Sequence, residues 1–60
     1  MKKVMAKIGT HSQCTVCLKG GTPKKGEHVE FKTDPYQKWQ RGIVDEVKDL
    51  GYPLYYISLL

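Results

Sequence analysis

The sequence predicts a small domain built mainly of β-strands, and three observations support this fold class. Apolar and polar residues alternate in short segments such as 28–32, which is the pattern of a half-buried strand. Clusters of glycine and proline separate these segments, most clearly at residues 20–26. Residues 54–60 include Tyr55, Tyr56 and Ile57, residue types that favour strands.

Four segments are predicted as strands, in chain order 4–8, 12–18, 28–32 and 54–60. The second of them has an alternative interpretation as a metal-binding turn. The breaks between them are Gly9-Thr10, the loop at 20–26 with three glycines and one proline, a turn at 33–35, and Tyr52-Pro53.

The segment between the third and fourth strands has two interpretations. As a helix over about 34–50, it begins with Asp34 as the N-cap and Pro35 at the first position, and Gly51 ends it as the C-cap. An apolar stripe then recurs at helical spacing, formed by Tyr36, Trp39, Ile43, Val47 and Leu50.

As a strand, the same segment alternates between two faces. One face has Trp39, Arg41, Ile43, Asp45 and Val47, and the other has Gln40, Gly42, Val44, Glu46 and Lys48. A glycine costs about 1 kcal/mol inside a helix, whereas in a strand it marks a bend or a bulge. The β-branched residues at 43, 44 and 47 also favour a strand.

The spacing of glycine, aromatic and β-branched residues resembles the SH3-like small barrels, a group that includes the Tudor and KOW-type domains. Three stretches carry the resemblance: 26–31 (GEHVEF), 39–47 (WQRGIVDEV) and 51–57 (GYPLYYI). It covers about residues 26–59 and implies a small, partly open barrel whose sheet is completed by the strand at 4–8. An α+β fold, ββαβ with the helix at about 34–50, is the alternative.

The chain length predicts one domain spanning residues 1–60. A chain this short buries only roughly 60% of its unfolded surface, and such domains are often stabilised by a metal or a partner. No apolar run approaches the ~18 residues of a membrane span. The basic start lacks the continuous apolar stretch of a signal peptide, so we expect a cytoplasmic protein without a membrane partner.

Charge is distributed unevenly along the chain. Residues 1–25 contain six lysines and no acidic residue, whereas residues 26–60 contain four bases and six acids. A basic half favours a partner that carries phosphates or an acidic protein surface. The chain has one arginine, Arg41, and the alternative is that the lysines only keep the surface solvated.

Four residues are candidate ligands for a structural zinc ion. Cys14 and Cys17 form a C-x-x-C pair, and His11 and His28 supply the other two ligands of a tetrahedral site. The alternative is that Cys14 lies in the core of a strand. A redox pair is disfavoured because residues 18–21 do not begin a helix.

Aromatic and basic residues supply the candidate binding surface. An exposed aromatic ring near cations stacks on nucleic-acid bases or on a peptide. The candidate binding residues are Lys24, Lys25, Tyr36, Lys38, Trp39, Arg41, Tyr55 and Tyr56. The alternative for most of the aromatic residues is that they form the core.

No catalytic motif or phosphate-binding loop occurs, so we expect a binding module and no enzyme. The carboxylates at 45, 46 and 49 are predicted to be a solvated patch. The predicted partner is nucleic acid or a protein with an acidic surface, with similar support for each. Two alternatives are an inhibitor or adaptor that occludes or bridges a larger complex, and a mini-domain with a structural zinc. Exposed strand edges predict a candidate homodimer.

Overall fold

The computed structural model describes residues 2–34 and 36–60, which form a closed barrel of five strands. The strands are β1 (Lys2–Ile8), β2 (Cys14–Leu18), β3 (His28–Lys32), β4 (Gln40–Asp49) and β5 (Pro53–Leu59). The barrel measures 29 × 24 × 20 Å along its principal axes. These residues contain no helix, so the mainly β prediction is confirmed and the fold fits a small SH3-like barrel.

The barrel is a meander that closes between its first and last strands. Each strand pairs antiparallel with the next, and an odd number of strands leaves β1 and β5 parallel. Their register runs from Met5 opposite Leu54 to Ile8 opposite Ile57, and the Gly9 amide extends it by donating to the Ile57 carbonyl at 2.9 Å. The prediction of a partly open barrel is therefore wrong in this respect, because β1 pairs along both of its edges.

The core is built by the inward-facing residues of all five strands. Alternation places every second side chain inside, as in β1, where Val4, Ala6 and Ile8 are buried. The other members of the core cluster are Val16, Leu18, Val29, Phe31, Val44, Tyr55 and Ile57. The described residues leave no buried side-chain polar atom without a hydrogen bond, so burial here carries no uncompensated polar cost.

Residues 40–49 form the longest strand, which rejects the helix predicted over about 34–50. Asp34 does accept a hydrogen bond from the Tyr36 amide at 2.9 Å, but this contact closes a turn and begins no helix. Pro35, predicted at the first helical position, lies outside the described residues. Gly51, the predicted helix C-cap, instead turns the β4–β5 hairpin with a φ of 86°.

Gly42 marks a close approach between strands and not the bulge that its position suggested. A Cβ atom at Gly42 would lie 2.6 Å from Cγ2 of Ile57 and 2.7 Å from the backbone oxygen of Ser58. The register shift lies further along β4, between Val44 and Glu46. The extra residue there, Asp45, accepts a hydrogen bond from the Ser58 hydroxyl.

The bulge reverses which side chains of β4 face outward. Before it, Val44 points inward opposite Ile57; after it, Glu46 lies opposite Tyr56, outside the barrel. The strand prediction, which placed residues 42, 44, 46 and 48 on one face, therefore holds only as far as Val44.

Barrel closure also removes the argument for the predicted homodimer. That prediction depended on exposed strand edges, whereas every strand in the described part of the chain pairs on both sides. The described residues include no helix able to cross a membrane.

Candidate functional site

Trp39 lies at the entrance to β4 with two lysine side chains over its ring. The Lys32 ammonium is 4.5 Å from the ring centroid and the Lys19 ammonium is 5.9 Å from it. Both distances fall within the range in which a cation is attracted to an aromatic face. The ring is half-buried, so part of it remains available to a partner.

Strand register explains why these residues meet. Lys3 lies opposite Cys17 on the β1–β2 pair, and Cys17 lies opposite Lys32 on the β2–β3 pair. Gln40 pairs with Phe31, so the preceding residue, Trp39, comes beside the following one, Lys32. A single row of outward side chains thus runs from Trp39 to Lys3 across about 14 Å, which is three spacings between strands.

A second row lies next to the first on the same outer surface. Glu30 pairs with Arg41, and the Lys19 amide donates to the Glu30 carbonyl at 3.0 Å. We call the two rows together the basic aromatic face, which comprises Lys3, Cys17, Lys19, Glu30, Lys32, Trp39 and Arg41. It contains four bases and one carboxylate, so its field is positive.

Tyr56 forms a separate and smaller cluster with two other lysines. The Lys48 ammonium is 5.1 Å from its ring centroid and the Lys7 ammonium is 5.7 Å from it. Glu46 lies opposite Tyr56 in the register and offsets part of this charge. Lys7 is four residues along β1 from Lys3, roughly 13 Å, so the two clusters are distinct surfaces.

The structure brings two of the predicted binding residues, Trp39 and Arg41, onto the basic aromatic face. Lys24 and Lys25 are exposed in the β2–β3 loop, where the Lys24 amide donates to Oε1 of Glu27 at 2.6 Å. Tyr36 and Lys38 are exposed between β3 and β4, and Tyr36 is 96% exposed.

Tyr55 and Tyr56 separate as strand alternation predicts. Tyr55 is 2% exposed and packs in the core, so it belongs to the barrel interior and not to the binding surface predicted for it. Tyr56 is half-buried on the outer surface, where Lys7 and Lys48 approach its ring.

The candidate metal ligands are not assembled. Cys14 packs against the core at the start of β2, while Cys17 lies three residues later on the outer face between Lys3 and Lys32. Across residues 2–34 and 36–60, no three His, Cys, Asp or Glu side chains converge to hold an ion. Structural zinc remains a prediction, and this arrangement lends it no support.

Three of the four bases of the basic aromatic face, Lys3, Lys19 and Lys32, were not among the predicted site residues. A usable signal existed for Lys32. It follows Phe31 in a strand predicted to alternate, so it faces outward, and the hairpin that joins β3 to β4 places Trp39 beside it. Lys3 and Lys19 depend on the pairing of β1, β2 and β3, which no local pattern reveals.

Two surface grooves border this region. The side groove, about 550 Å³, has four charged residues in its lining, which are Lys19, Glu27, Glu30 and Arg41. The barrel-mouth groove, about 530 Å³, lies where β1, β3 and β5 end and β2 and β4 begin. It is lined by Ile8, His11, Ser12, Gln13, Cys14, Phe31, Thr33, Gln40 and Leu59.

Comparison with known proteins adds no relative from which a role can be transferred. No protein-family model, curated protein sequence or solved structure matches this chain. The function is therefore inferred from the chain's own side chains.

Proposed function

We propose that this protein is a non-enzymatic module that binds single-stranded nucleic acid through the basic aromatic face. The observation that carries the proposal is the half-buried ring of Trp39 beside the ammonium groups of Lys19 and Lys32. A positive groove or face that follows the backbone, combined with an aromatic ring on which a base stacks, is the usual arrangement for binding unpaired strands.

The geometry favours a single strand over a duplex. A base must be unpaired and turned outward to stack on a ring such as Trp39. Readers of duplex DNA commonly insert a helix into the major groove, and residues 2–34 and 36–60 contain none. The face spans about 14 Å over four strands, a size suited to a few nucleotides.

Binding without catalysis is supported by what the carboxylates do. Glu27 accepts from the Lys24 amide, Asp34 from the Tyr36 amide and Asp49 from the Gly51 amide. Asp45 accepts from the Ser58 hydroxyl at the β4 bulge. These four of the six carboxylates act as local caps of turns and of a bulge, which occupies them in holding the fold.

The intrinsic fluorescence of Trp39 provides a direct test, because it is the only tryptophan of the chain. Titration with unlabelled octamers of deoxythymidine and of uridine, in buffer of low salt, is expected to change the emission as bases stack on the ring. No change in emission and no change in the anisotropy of labelled octamers would contradict the proposal.

A pair of matched variants locates the binding surface. Trp39→Leu is expected to weaken octamer binding about tenfold, since stacking of one base contributes about 1–3 kcal/mol. Tyr56→Leu removes the other ring that lies beneath two lysines and is expected to leave the affinity unchanged within about twofold. Equal losses in the two variants, measured by anisotropy, would show that the basic aromatic face is not the site.

The predicted alternative, a protein partner with an acidic surface, would contact the same four basic side chains. In that case no nucleobase stacks on Trp39, and its emission does not respond to oligonucleotides. If no octamer changed the Trp39 emission in the titration, a protein partner with an acidic surface would become the favoured function.

A further inference from the structure

The barrel-mouth groove differs in chemistry from the face beside it. Its apolar lining is supplied by Ile8, Phe31 and Leu59, and the amides of Gln13 and Gln40 stand among its polar groups. None of its lining residues is Lys, Arg, Asp or Glu. A groove without fixed charges, part apolar and part amide, suits a flat neutral group with hydrogen-bonding edges.

The side groove offers the contrast that makes this assignment specific. It is of similar size, but it carries the carboxylates of Glu27 and Glu30 together with Lys19 and Arg41. The charges of this lining are solvated, and placing a neutral ring against them would remove water from them. Of the two grooves, the barrel mouth is therefore the one that fits a nucleobase.

The amide of Gln40 is well placed to contact such a group. Its side chain is half-buried and makes no hydrogen bond with the described residues. The Gln13 amide, by contrast, donates to the Tyr52 hydroxyl at 2.9 Å, which leaves its oxygen as an acceptor. A carboxamide offers a donor and an acceptor side by side, as the edge of a base does.

The groove also adjoins the basic aromatic face through the chain itself. Two residues of the groove lining, Gln40 and Thr33, directly follow Trp39 and Lys32 of the basic aromatic face in the chain. Successive residues of a strand point to opposite faces. A strand of nucleic acid that crosses the rim of the barrel thus passes from the Trp39 ring outside to the barrel-mouth groove inside. The distance is about the length of one amino-acid residue.

We propose that the barrel-mouth groove receives one unpaired nucleobase of a strand held on the basic aromatic face, and that Gln40 hydrogen-bonds to its edge. This inference depends on the proposed function, and it adds base preference to a surface that otherwise contacts only backbone and base faces.

The test compares octamers of deoxyadenosine, deoxycytidine and deoxythymidine by fluorescence anisotropy. The wild-type protein is expected to prefer one of the three by about tenfold, the discrimination that a paired hydrogen-bonding edge provides. Gln40→Leu is expected to reduce that preference to within about twofold, whereas Gln37→Leu, the same change outside the groove, retains it. If Gln40→Leu loses the near-ultraviolet circular dichroism of the folded protein, Gln13→Leu on the exposed rim replaces it.

The outcomes separate this inference from the proposed function. Equal affinity for all three octamers, or a preference that Gln40→Leu and Gln13→Leu both retain, overturns the base site but leaves binding through Trp39 intact. Absence of binding to every octamer overturns both. A preference lost in the groove variants and kept in Gln37→Leu supports the base site.

Discussion

At the scale of single residues, Gly42 is the glycine with the least room for a side chain. The only space for a Cβ atom there is already occupied by Ile57 and by the backbone of Ser58 on the paired strand, at 2.6 and 2.7 Å. Backbone cannot rotate away as a flexible side chain can. A glycine at this position therefore permits the close contact of β4 with β5 that the small core requires.

We predict that Gly42→Ala destabilises the protein by about 1–3 kcal/mol, the usual cost of forcing an extra methyl group into a packed site. Urea unfolding, followed by circular dichroism, measures this loss. Gly21→Ala is the matched control, because nothing lies within 4 Å of the added Cβ and the backbone there has no positive φ. It is expected to change stability by less than about 0.5 kcal/mol. Equal stabilities of the two variants would contradict the packing argument.

At the scale of strands, β4 shows what local pattern predicts and what it does not. Alternation from Trp39 to Val44 correctly predicted which side chains share a face. An apolar row at helical spacing was also present, and propensity alone did not decide between helix and strand. Pairing with neighbouring strands decided between helix and strand. As a strand, β4 hydrogen-bonds to both β3 and β5, and Val44 enters the core.

The bulge between Val44 and Glu46 was beyond prediction because it depends on the partner strand. No sequence pattern in residues 44–46 indicates that the strand holds an extra residue there. Its position is held by the hydrogen bond from Ser58 to Asp45, which lies 13 residues away in sequence. The reversal of faces that follows is what places Glu46 and Lys48 outside, around Tyr56.

Deletion of Asp45 tests the role of this bulge. Without Asp45, Val44 and Glu46 become neighbours opposite Ile57 and Tyr56, so regular alternation keeps Val44 inside and Glu46 outside. We predict that this deletion variant still unfolds cooperatively in thermal unfolding. Deletion of Asp45 and Glu46 together places Val47 opposite Tyr56 and turns Lys48 toward the interior, so that variant is expected to lose cooperative unfolding. Equal behaviour of the two deletion variants would contradict the account.

At the scale of the whole molecule, closure of the barrel distributes the charge over two surfaces. The sequence already showed a basic first half, and the pairing of β1, β2 and β3 brings two of its lysines, Lys3 and Lys19, onto one outer surface with Lys32. The carboxylates at 45, 46 and 49 lie in β4 beyond or within its bulge, close to the β4–β5 hairpin. The basic aromatic face beside Trp39 thus has four bases and one carboxylate, a positive field that favours the polyanion proposed as its partner.

Closure itself could not be predicted from local patterns. Met5 lies opposite Leu54 in a parallel pairing between the two ends of the chain, and only the folded topology brings these segments together. The same is true of the site. Trp39 and Arg41 were predicted because their residue types indicate binding, whereas Lys3 and Lys19 join them only through the register of the sheet.

The measurement that tests the central claim most directly is the salt dependence of binding to a single-stranded octamer. For unpaired strands, the logarithm of affinity falls with the logarithm of salt concentration with a slope of about −0.7 for each phosphate neutralised. We predict that Lys32→Gln, on the basic aromatic face, reduces the magnitude of the slope by about 0.7. Lys48→Gln, which removes an equal charge and a similar contact with Tyr56, is expected to keep the wild-type slope. A salt-independent affinity, or equal slopes for the two variants, would contradict the assignment of nucleic-acid binding to this face.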